Sequence, residues 1–128
     1  MTFLIGEIGV NHENNIDNAL KMIDDLVFAK WDAAKFQSYK ANKLAREKSP
    51  SYWDTTKEKT KSQHELFSKF DNWNLDEYEY LHKYCIKKGI EFMTTAFDID
   101  TLNDIDKLVK RHKISSSDIT NFQLIDAV

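Results

Sequence analysis

Seven polar side chains fall at the ends of four segments that the sequence favours as strands: Glu7, Lys35, Gln37, Thr94, Thr95, Lys113 and Ser116. The carboxyl ends of parallel strands meet at one rim, so we expect these distant residues to converge there. Two ammonium groups beside several hydroxyl groups suit a small dianion, such as a phosphate or a phosphoenol group.

A structural ion pair between Glu7 and Lys35 accounts for two of these residues without any ligand. A charge among strands must be paired, hydrated or bound to a ligand, because an unpartnered buried charge costs several kcal/mol. Side chains alternate along a strand, so Lys35 and Gln37 share one face and Ala34 and Phe36 share the other. The sequence leaves the ion pair and the binding site as open alternatives.

Other candidate groups carry weaker signals. His12 follows Asn11 directly after the first predicted strand, so we expect it on the same rim. The remaining histidines lack metal-ligand spacing with one another or with Cys85, which we expect to be buried and inert. The chain contains neither G-x-G-x-x-G nor G-x-x-x-x-G-K-[ST], so nothing supports a dinucleotide or P-loop site.

The elements that position these residues alternate between strands and helices. Short apolar or mixed runs predict strands at residues 3–10, 33–37 and 90–95, and a short fourth strand at 113–115. Apolar residues at helical spacing predict helices that follow the first and third strands, capped by Asn14 or Asn15 and by Asp98. The chain closes with what we expect to be the first turns of another helix, after Asn121.

The connection between the second and third strands is unusually long. It runs from Ser38 to about Trp73, is rich in polar residues, and has a segment near 57–70 that could be helical. Connections of that length are usually functional lids or disordered segments. The helix that follows has a capping-box pattern at Asn74 and Glu77 and a terminating glycine at Gly89.

Strict alternation of strands and helices predicts a parallel α/β sheet with right-handed crossovers. Two architectures fit this alternation. One is an open doubly wound sheet of about this size, and the other is the first half of an eight-stranded (β/α)8 barrel.

The composition describes an ordinary folded domain. The chain has 128 residues, 41% of them apolar, a net charge of −3 and one cysteine. The absence of a basic block argues against a nucleic-acid surface, and no apolar run approaches the length of a membrane span. A lone cysteine forms no intrachain disulfide, which fits a reducing compartment. Together with the lack of a membrane span, this leads us to expect a soluble, cytoplasmic protein.

Four motifs at the predicted strand ends resemble successive signatures of the sialic acid synthases, a family that includes legionaminic and pseudaminic acid synthases and spore-coat polysaccharide homologues. They are EIGVNH at 7–12, DAAKFQ at 32–37, TTAFD at 94–98 and KISSSDITN at 113–121. The resemblance runs in order over nearly the whole chain. It favours the barrel architecture, with residues 1–128 as the N-terminal portion of a TIM-barrel synthase domain.

The resemblance implies an enzyme that condenses phosphoenolpyruvate with an open-chain N-acetylmannosamine-like sugar, giving a nonulosonic acid and phosphate. It implies a divalent metal, Mn or Mg, whose ligands lie outside this chain, so no metal ligand is assigned here. It also implies a homodimer at full length, with four more βα units and a C-terminal antifreeze-like domain. On this basis we expect the 128-residue chain to be inactive alone.

Site residues follow from the resemblance position by position. Glu7 matches the acidic residue near the reacting centre, and Gln37 and Asp118 match positions that face the sugar. Asn11 and His12 match a motif to which we assign no role here. The positions that hold phosphoenolpyruvate correspond to Lys35, Thr95, Lys113 and Ser116.

Three positions depart from the family pattern. Ala96 stands where the family has proline, Ser117 stands where it has glycine, and Lys30 stands where a helix-ending glycine is expected. A non-glycine residue is strained wherever the backbone requires a positive φ.

Two other function classes stay open. One is a non-catalytic half-barrel that binds an anion or pairs with another chain, and the other is a complete flavodoxin-like binding domain. The sequence does not determine which amino sugar or which metal an enzyme of this kind would use.

Overall fold

Three parallel strands form one sheet in the computed structural model, which describes residues 1–128. The strands are β1 (Ile5–Gly9), β2 (Ala33–Ser38) and β3 (Glu91–Ala96), and they lie in the order β1-β2-β3. β2 is therefore the central strand. In its register with its neighbours, Glu7 lies beside Lys35 and Gln37 lies beside Thr95.

Six helices connect and flank the strands. They are α1 (Ile16–Phe28), α2 (Ala41–Leu44), α3 (Gln63–Ser68), α4 (Leu75–Lys88), α5 (Ile99–Ile105) and α6 (Phe122–Ala127), with 3-10 turns at Asp106–Leu108 and Ser116–Asp118. No helix combines the length and the apolar character that a membrane span requires.

The helix ends confirm the capping signals of the sequence. The Asn15 side chain accepts a hydrogen bond from the Asn18 N–H at 3.0 Å, and Asp98 accepts one from the Thr101 N–H at 3.0 Å. The Glu77 carboxylate accepts a hydrogen bond from the Asn74 N–H at 2.8 Å, which is one half of a capping box. Gly89 closes α4 in the left-handed conformation, with φ of 74°.

The main core lies between the sheet and helices α1 and α4. Every second residue of each strand faces these helices, as the period of a strand requires. The buried members of this core include Ile8, Ala19, Ile23, Ala34, Phe36, Leu81, Cys85 and Phe92. The opposite face of the sheet carries Glu7, Lys35 and Gln37.

Residues 39–73, which we call the excursion, form a folded segment of their own. An isolated bridge pairs Pro50 with Ser62, and the Gln63 side chain donates to the Pro50 carbonyl at 2.9 Å. Helix α3 covers only residues 63–68 of the predicted helical segment, and Ser62 caps it by accepting from the Glu65 N–H at 3.1 Å.

The predicted fourth strand at 113–115 is wrong for this structure, because these residues pair with no strand. Only Ile114 in that segment is apolar, and three residues gain few ladder hydrogen bonds against the entropy of ordering them. The side chains bond locally instead, and the Ser115 hydroxyl accepts from the Ser117 N–H at 3.3 Å. Residues 116–118 then turn into a 3-10 helix.

Candidate functional site

A carboxylate, an ammonium group and an amide meet on the face of the sheet opposite the main core. Lys35 Nζ forms an ion pair with Glu7 Oε2, and Gln37 Nε2 donates to Glu7 Oε1 at 3.3 Å. The side chain of Lys35 is 13% exposed and that of Glu7 is 45% exposed. The sheet register produces this cluster, since β1 and β2 place Glu7 directly beside Lys35.

Thr95 extends the cluster to the third strand. It pairs in register with Gln37 and shares its face of the sheet, and it is 3% exposed. Thr94 points to the other face, where its hydroxyl forms a 2.7 Å hydrogen bond with the buried Ser38 hydroxyl. The expectation that Thr94 belongs to the rim site is therefore wrong, because alternation assigns only one of two adjacent threonines to each face.

A bulge in β1 shapes the backbone beside Glu7. The register shifts by one residue between Glu7 and Gly9, and Gly9 has a left-handed φ of 59°. A Cβ atom at Gly9 would lie 3.2 Å from Glu7 Oε1 and 3.6 Å from Gln37 Nε2. The left-handed backbone favours glycine at this position, and a Cβ atom would also require the Glu7 carboxylate to shift by a few tenths of an ångström.

The end of β2 is fastened to the first turns of α4. The Tyr78 hydroxyl donates to the main-chain carbonyl of Gln37 at 3.1 Å. Burial raises the pKa of Tyr78 to about 12, so the hydroxyl keeps the proton that this hydrogen bond needs. Lys40 Nζ donates to the carbonyls of Asp71 and Trp73 at 2.9 Å each, and to Asn74 Oδ1 at 3.1 Å.

Sequence reasoning missed Tyr78 and Lys40 as residues that support the site. Tyr78 lies on the apolar face of α4, and the hydroxyl that it adds to an apolar stripe is the signal that could have shown its second role. Lys40 gave no signal, because its three acceptors lie more than 30 positions away along the chain.

The site residues expected from the fourth motif, at 113–118, make no polar contact with this cluster. Lys113 Nζ bonds to the carbonyl of the next residue, Ile114, and Ser116 is exposed. Asp118 accepts from the Ser117 hydroxyl at 3.1 Å. No hydrogen bond or ion pair joins these three residues to Glu7, Lys35 or Gln37.

Asn11 and His12 follow β1 directly, and their side chains lie in different surroundings. Asn11 is exposed, and its side chain donates to the carbonyl of Ile8 at 2.9 Å, which closes the end of β1. His12 is 1% exposed and packs in the core, with its ring stacked on Trp73. His12 therefore follows the carboxyl end of β1 as expected from its place in the chain, but its ring is directed into the core.

Other potentially reactive groups lie outside this cluster. No group of three or more His, Cys, Asp or Glu side chains is close enough to hold a metal ion. Cys85 is buried in the main core, and burial raises the pKa of its thiol to about 12, so the thiolate nucleophile is disfavoured. These positions agree with a structural role for Cys85.

The arrangement can hold a small anion next to a carboxylate. The ammonium group of Lys35 supplies positive charge, and Gln37 and Thr95 supply an amide and a hydroxyl at the same edge. The carboxylate of Glu7 is the most exposed of these groups, so it is the one best placed to exchange a proton or a hydrogen bond with a bound molecule.

Comparisons with known proteins match nearly the whole chain. The chain is 33% identical over 122 residues to N,N'-diacetyllegionaminic acid synthase of Legionella pneumophila, covering 93% of this chain and 34% of that protein. It is 31% identical over 134 residues to N-acetylneuraminate-9-phosphate synthase of Mus musculus, covering 97% of this chain and 35% of that protein.

A solved structure has the same fold over the same length. The crystal structure of N-acetylneuraminic acid synthetase from Leptospira borgpetersenii, in complex with citrate, superposes with a TM-score of 0.81 at 33% identity, covering 98% of this chain and 40% of that one. This chain thus spans about a third of the length of the curated relatives it matches. The NeuB family model matches residues 22–128, and the chain belongs to that family.

Proposed function

We propose that this chain supplies one part of the active site of a nonulosonic acid synthase. The observation that carries the proposal is the joining of Glu7, Lys35 and Gln37 into one contact cluster on the open face of the sheet, with Thr95 in register beside it. The family membership supports the same reaction class. The substrates are phosphoenolpyruvate and an N-acetylmannosamine-like amino sugar.

The reaction forms one carbon–carbon bond, adds the oxygen of water to the phosphate-bearing carbon with loss of the water's protons, and breaks the bond between that carbon and the phosphate oxygen. The enol carbon of phosphoenolpyruvate attacks the sugar aldehyde, whose oxygen takes up a proton. Water then adds to the cationic carbon that bears the phosphate ester, and phosphate leaves as that carbon becomes a ketone. Such a reaction depends mainly on placing two substrates together and stabilising the charge that develops.

Each residue of the cluster has a role in this proposal. Lys35 and Thr95 hold phosphoenolpyruvate, together with Lys113 and Ser116. Gln37 and Asp118 face the sugar, and Glu7 manages protons at the tetrahedral intermediate. Glu7 and Lys35 pair directly in the structure, so phosphoenolpyruvate would take over the ammonium group from the carboxylate.

The proposal places the chain as the amino-terminal part of a (β/α)8 barrel. In the complete barrel, residues 113–115 would form the fourth strand and bring Lys113, Ser116 and Asp118 to the rim. In this proposal a divalent Mn or Mg ion is bound by residues outside this chain. The complete enzyme would be a cytoplasmic homodimer.

Phosphate release tests this function. The protein expressed from the full reading frame that contains these residues should release phosphate from phosphoenolpyruvate in the presence of Mn and one of a panel of N-acylated hexoses. Glu7→Gln should lower kcat by about 100-fold or more, as expected for a positioned acid–base group. A protein that releases no phosphate with any hexose contradicts the proposal.

The 128 residues alone should show no condensation activity, with or without manganese. The reason is that the chain covers about a third of its relatives' length, so most of a synthase barrel is missing from it. Turnover by this polypeptide alone would contradict this expectation.

A further inference from the structure

A buried imidazole contacts both the end of the excursion and the turn that follows β1. His12 is 1% exposed, and its ring packs against the aromatic rings of Trp73 and Phe36. Histidine is seldom fully buried without a specific role for its nitrogens. The ring of His12 makes two kinds of contact, one with Trp73 and one with the turn after β1.

On the first side, His12 holds the end of the excursion. The ring of His12 stacks on that of Trp73 with centroids 3.7 Å apart and planes 8° apart, and Trp73 is 5% exposed. The carbonyl of Trp73 accepts from Lys40 Nζ at 2.9 Å, so its main chain and its side chain are both fixed. The Asn14 side chain adds a third contact by donating to the Lys69 carbonyl at 2.7 Å.

On the second side, His12 fixes the turn that follows the β1 bulge. His12 Nδ1 accepts a hydrogen bond from the Asn14 N–H at 3.1 Å, which assigns the ring proton to Nε2. Nε2 is buried without a hydrogen-bond partner. The turn follows Gly9, where an added Cβ atom would meet the carboxylate of Glu7 and the amide of Gln37.

The neutral form of the ring suits both contacts. A neutral imidazole stacks on indole without a charge that must be desolvated, and it keeps Nδ1 free to accept. Burial lowers the pKa of His12 to about 4. No carboxylate makes a hydrogen bond or an ion pair with the ring.

We propose that His12 is a positioning residue that couples the base of the excursion to the Glu7–Lys35–Gln37 cluster. The ring transmits the position of Trp73 to the turn at residues 10–14, and that turn sets the place of Gly9 beside Glu7. The catalytic consequence of this coupling, which is the correct placement of Glu7, rests on the proposed function. The coupling itself is a physical property of the chain.

Two substitutions separate the two halves of this role. His12→Phe keeps an aromatic ring to stack on Trp73 but removes the acceptor for the Asn14 N–H. His12→Asn keeps an acceptor close to the position of Nδ1 but removes the ring. A merely space-filling role predicts that Phe is tolerated better than Asn in every measurement.

Two-dimensional NMR of the 128-residue chain tests the coupling without any substrate. In His12→Phe, the Asn14 amide should exchange with solvent about tenfold faster, as expected for the loss of about one hydrogen bond. In His12→Asn, amides 70–74 should exchange about tenfold faster while the Asn14 amide stays protected. In both variants the side-chain amide signal of Gln37 should shift, although His12 does not touch Gln37.

Trp73→Phe provides a milder variant if the His12 variants do not fold, and it should also shift the Gln37 signal. Trp53→Phe, at the far end of the excursion, is the matched control and should leave that signal in place. An unchanged Gln37 signal in every folded His12 and Trp73 variant would overturn the proposal. Because these signals need no turnover, an inactive synthase would contradict the proposed function and not this coupling.

Discussion

At the scale of single residues, three non-glycine positions have left-handed backbone: Glu13, Asn14 and Lys30, with φ of 53°, 58° and 60°. At Lys30, the family pattern predicted this conformation by its glycine. Ser117 also stands where the family has glycine, but its φ is not positive, so its backbone is not strained in this way. Its side chain bonds within a local turn. Strain therefore resides at the end of α1 and in the turn after β1.

Lys30→Gly should raise the free energy of unfolding by about 0.5 kcal/mol. The left-handed conformation costs an L-residue roughly 1–2 kcal/mol, while glycine adds roughly 0.5–1 kcal/mol of backbone entropy to the unfolded chain. Urea denaturation measures this difference. Ser117→Gly is the control and should not stabilise the chain, and a Lys30→Gly variant less stable than the parent would contradict the account.

His12 should make the stability of the chain depend on pH between about 6.5 and 4. Its folded pKa of about 4 lies below the ordinary value of 6.5, so the unfolded chain binds the additional proton in this range. Stability should therefore fall as the pH is lowered, by up to about 1.4 kcal/mol per pH unit. Urea denaturation at pH 7, 6, 5 and 4 tests this, and His12→Phe should remove that part of the slope.

The residues of the cluster show what a sequence can and cannot place. Alternation along β2 predicted that Lys35 and Gln37 share a face, and their contacts with Glu7 confirm it. Alternation did not decide between Thr94 and Thr95, because that choice depends on the register between β2 and β3. The inward direction of the His12 ring could not be predicted, because a residue in a turn has no periodicity to indicate its direction.

At the scale of elements, strong local signals were reliable and long-range pairing was not. The caps at Asn15, Asp98 and Gly89 depend on neighbours within four residues, and the structure confirms each of them. The fourth strand depended on a partner strand far along the chain, and it does not form. The excursion is fixed at its base by Lys40, whose partners are also distant in sequence.

Lys40→Met should release the base of the excursion. The substitution keeps most of the aliphatic stem but leaves two main-chain carbonyls and one amide oxygen without their donor, at a cost of roughly 1–3 kcal/mol. Limited proteolysis should then cut residues 41–72 at least about tenfold faster, as expected from easier local opening.

Lys48→Met is the control for this prediction, since Lys48 is an exposed lysine of the same excursion that makes no hydrogen bond or ion pair. Equal cleavage rates for the two variants would show that the Lys40 ammonium group does not hold the excursion in place.

At the scale of the whole molecule, the chain presents one face covered by helices and one face that carries charged groups. The helix-covered face contains the main core, and the other face carries the Glu7–Lys35 pair. This asymmetry suits a barrel wall, whose helices lie outside and whose polar strand ends line a site. The competing interpretation, an anion-binding or chain-pairing module without catalysis, uses the same face but predicts no turnover.

Binding of phosphoenolpyruvate by the protein from the full reading frame tests the central claim most directly. Isothermal titration calorimetry should show that Lys35→Met weakens binding by roughly 10- to 100-fold, because one charge-assisted hydrogen bond contributes about 1.5–3 kcal/mol. Lys48→Met should bind like the parent protein. Equal affinity of the Lys35→Met variant and the parent protein would contradict the assignment of this cluster as the phosphoenolpyruvate site.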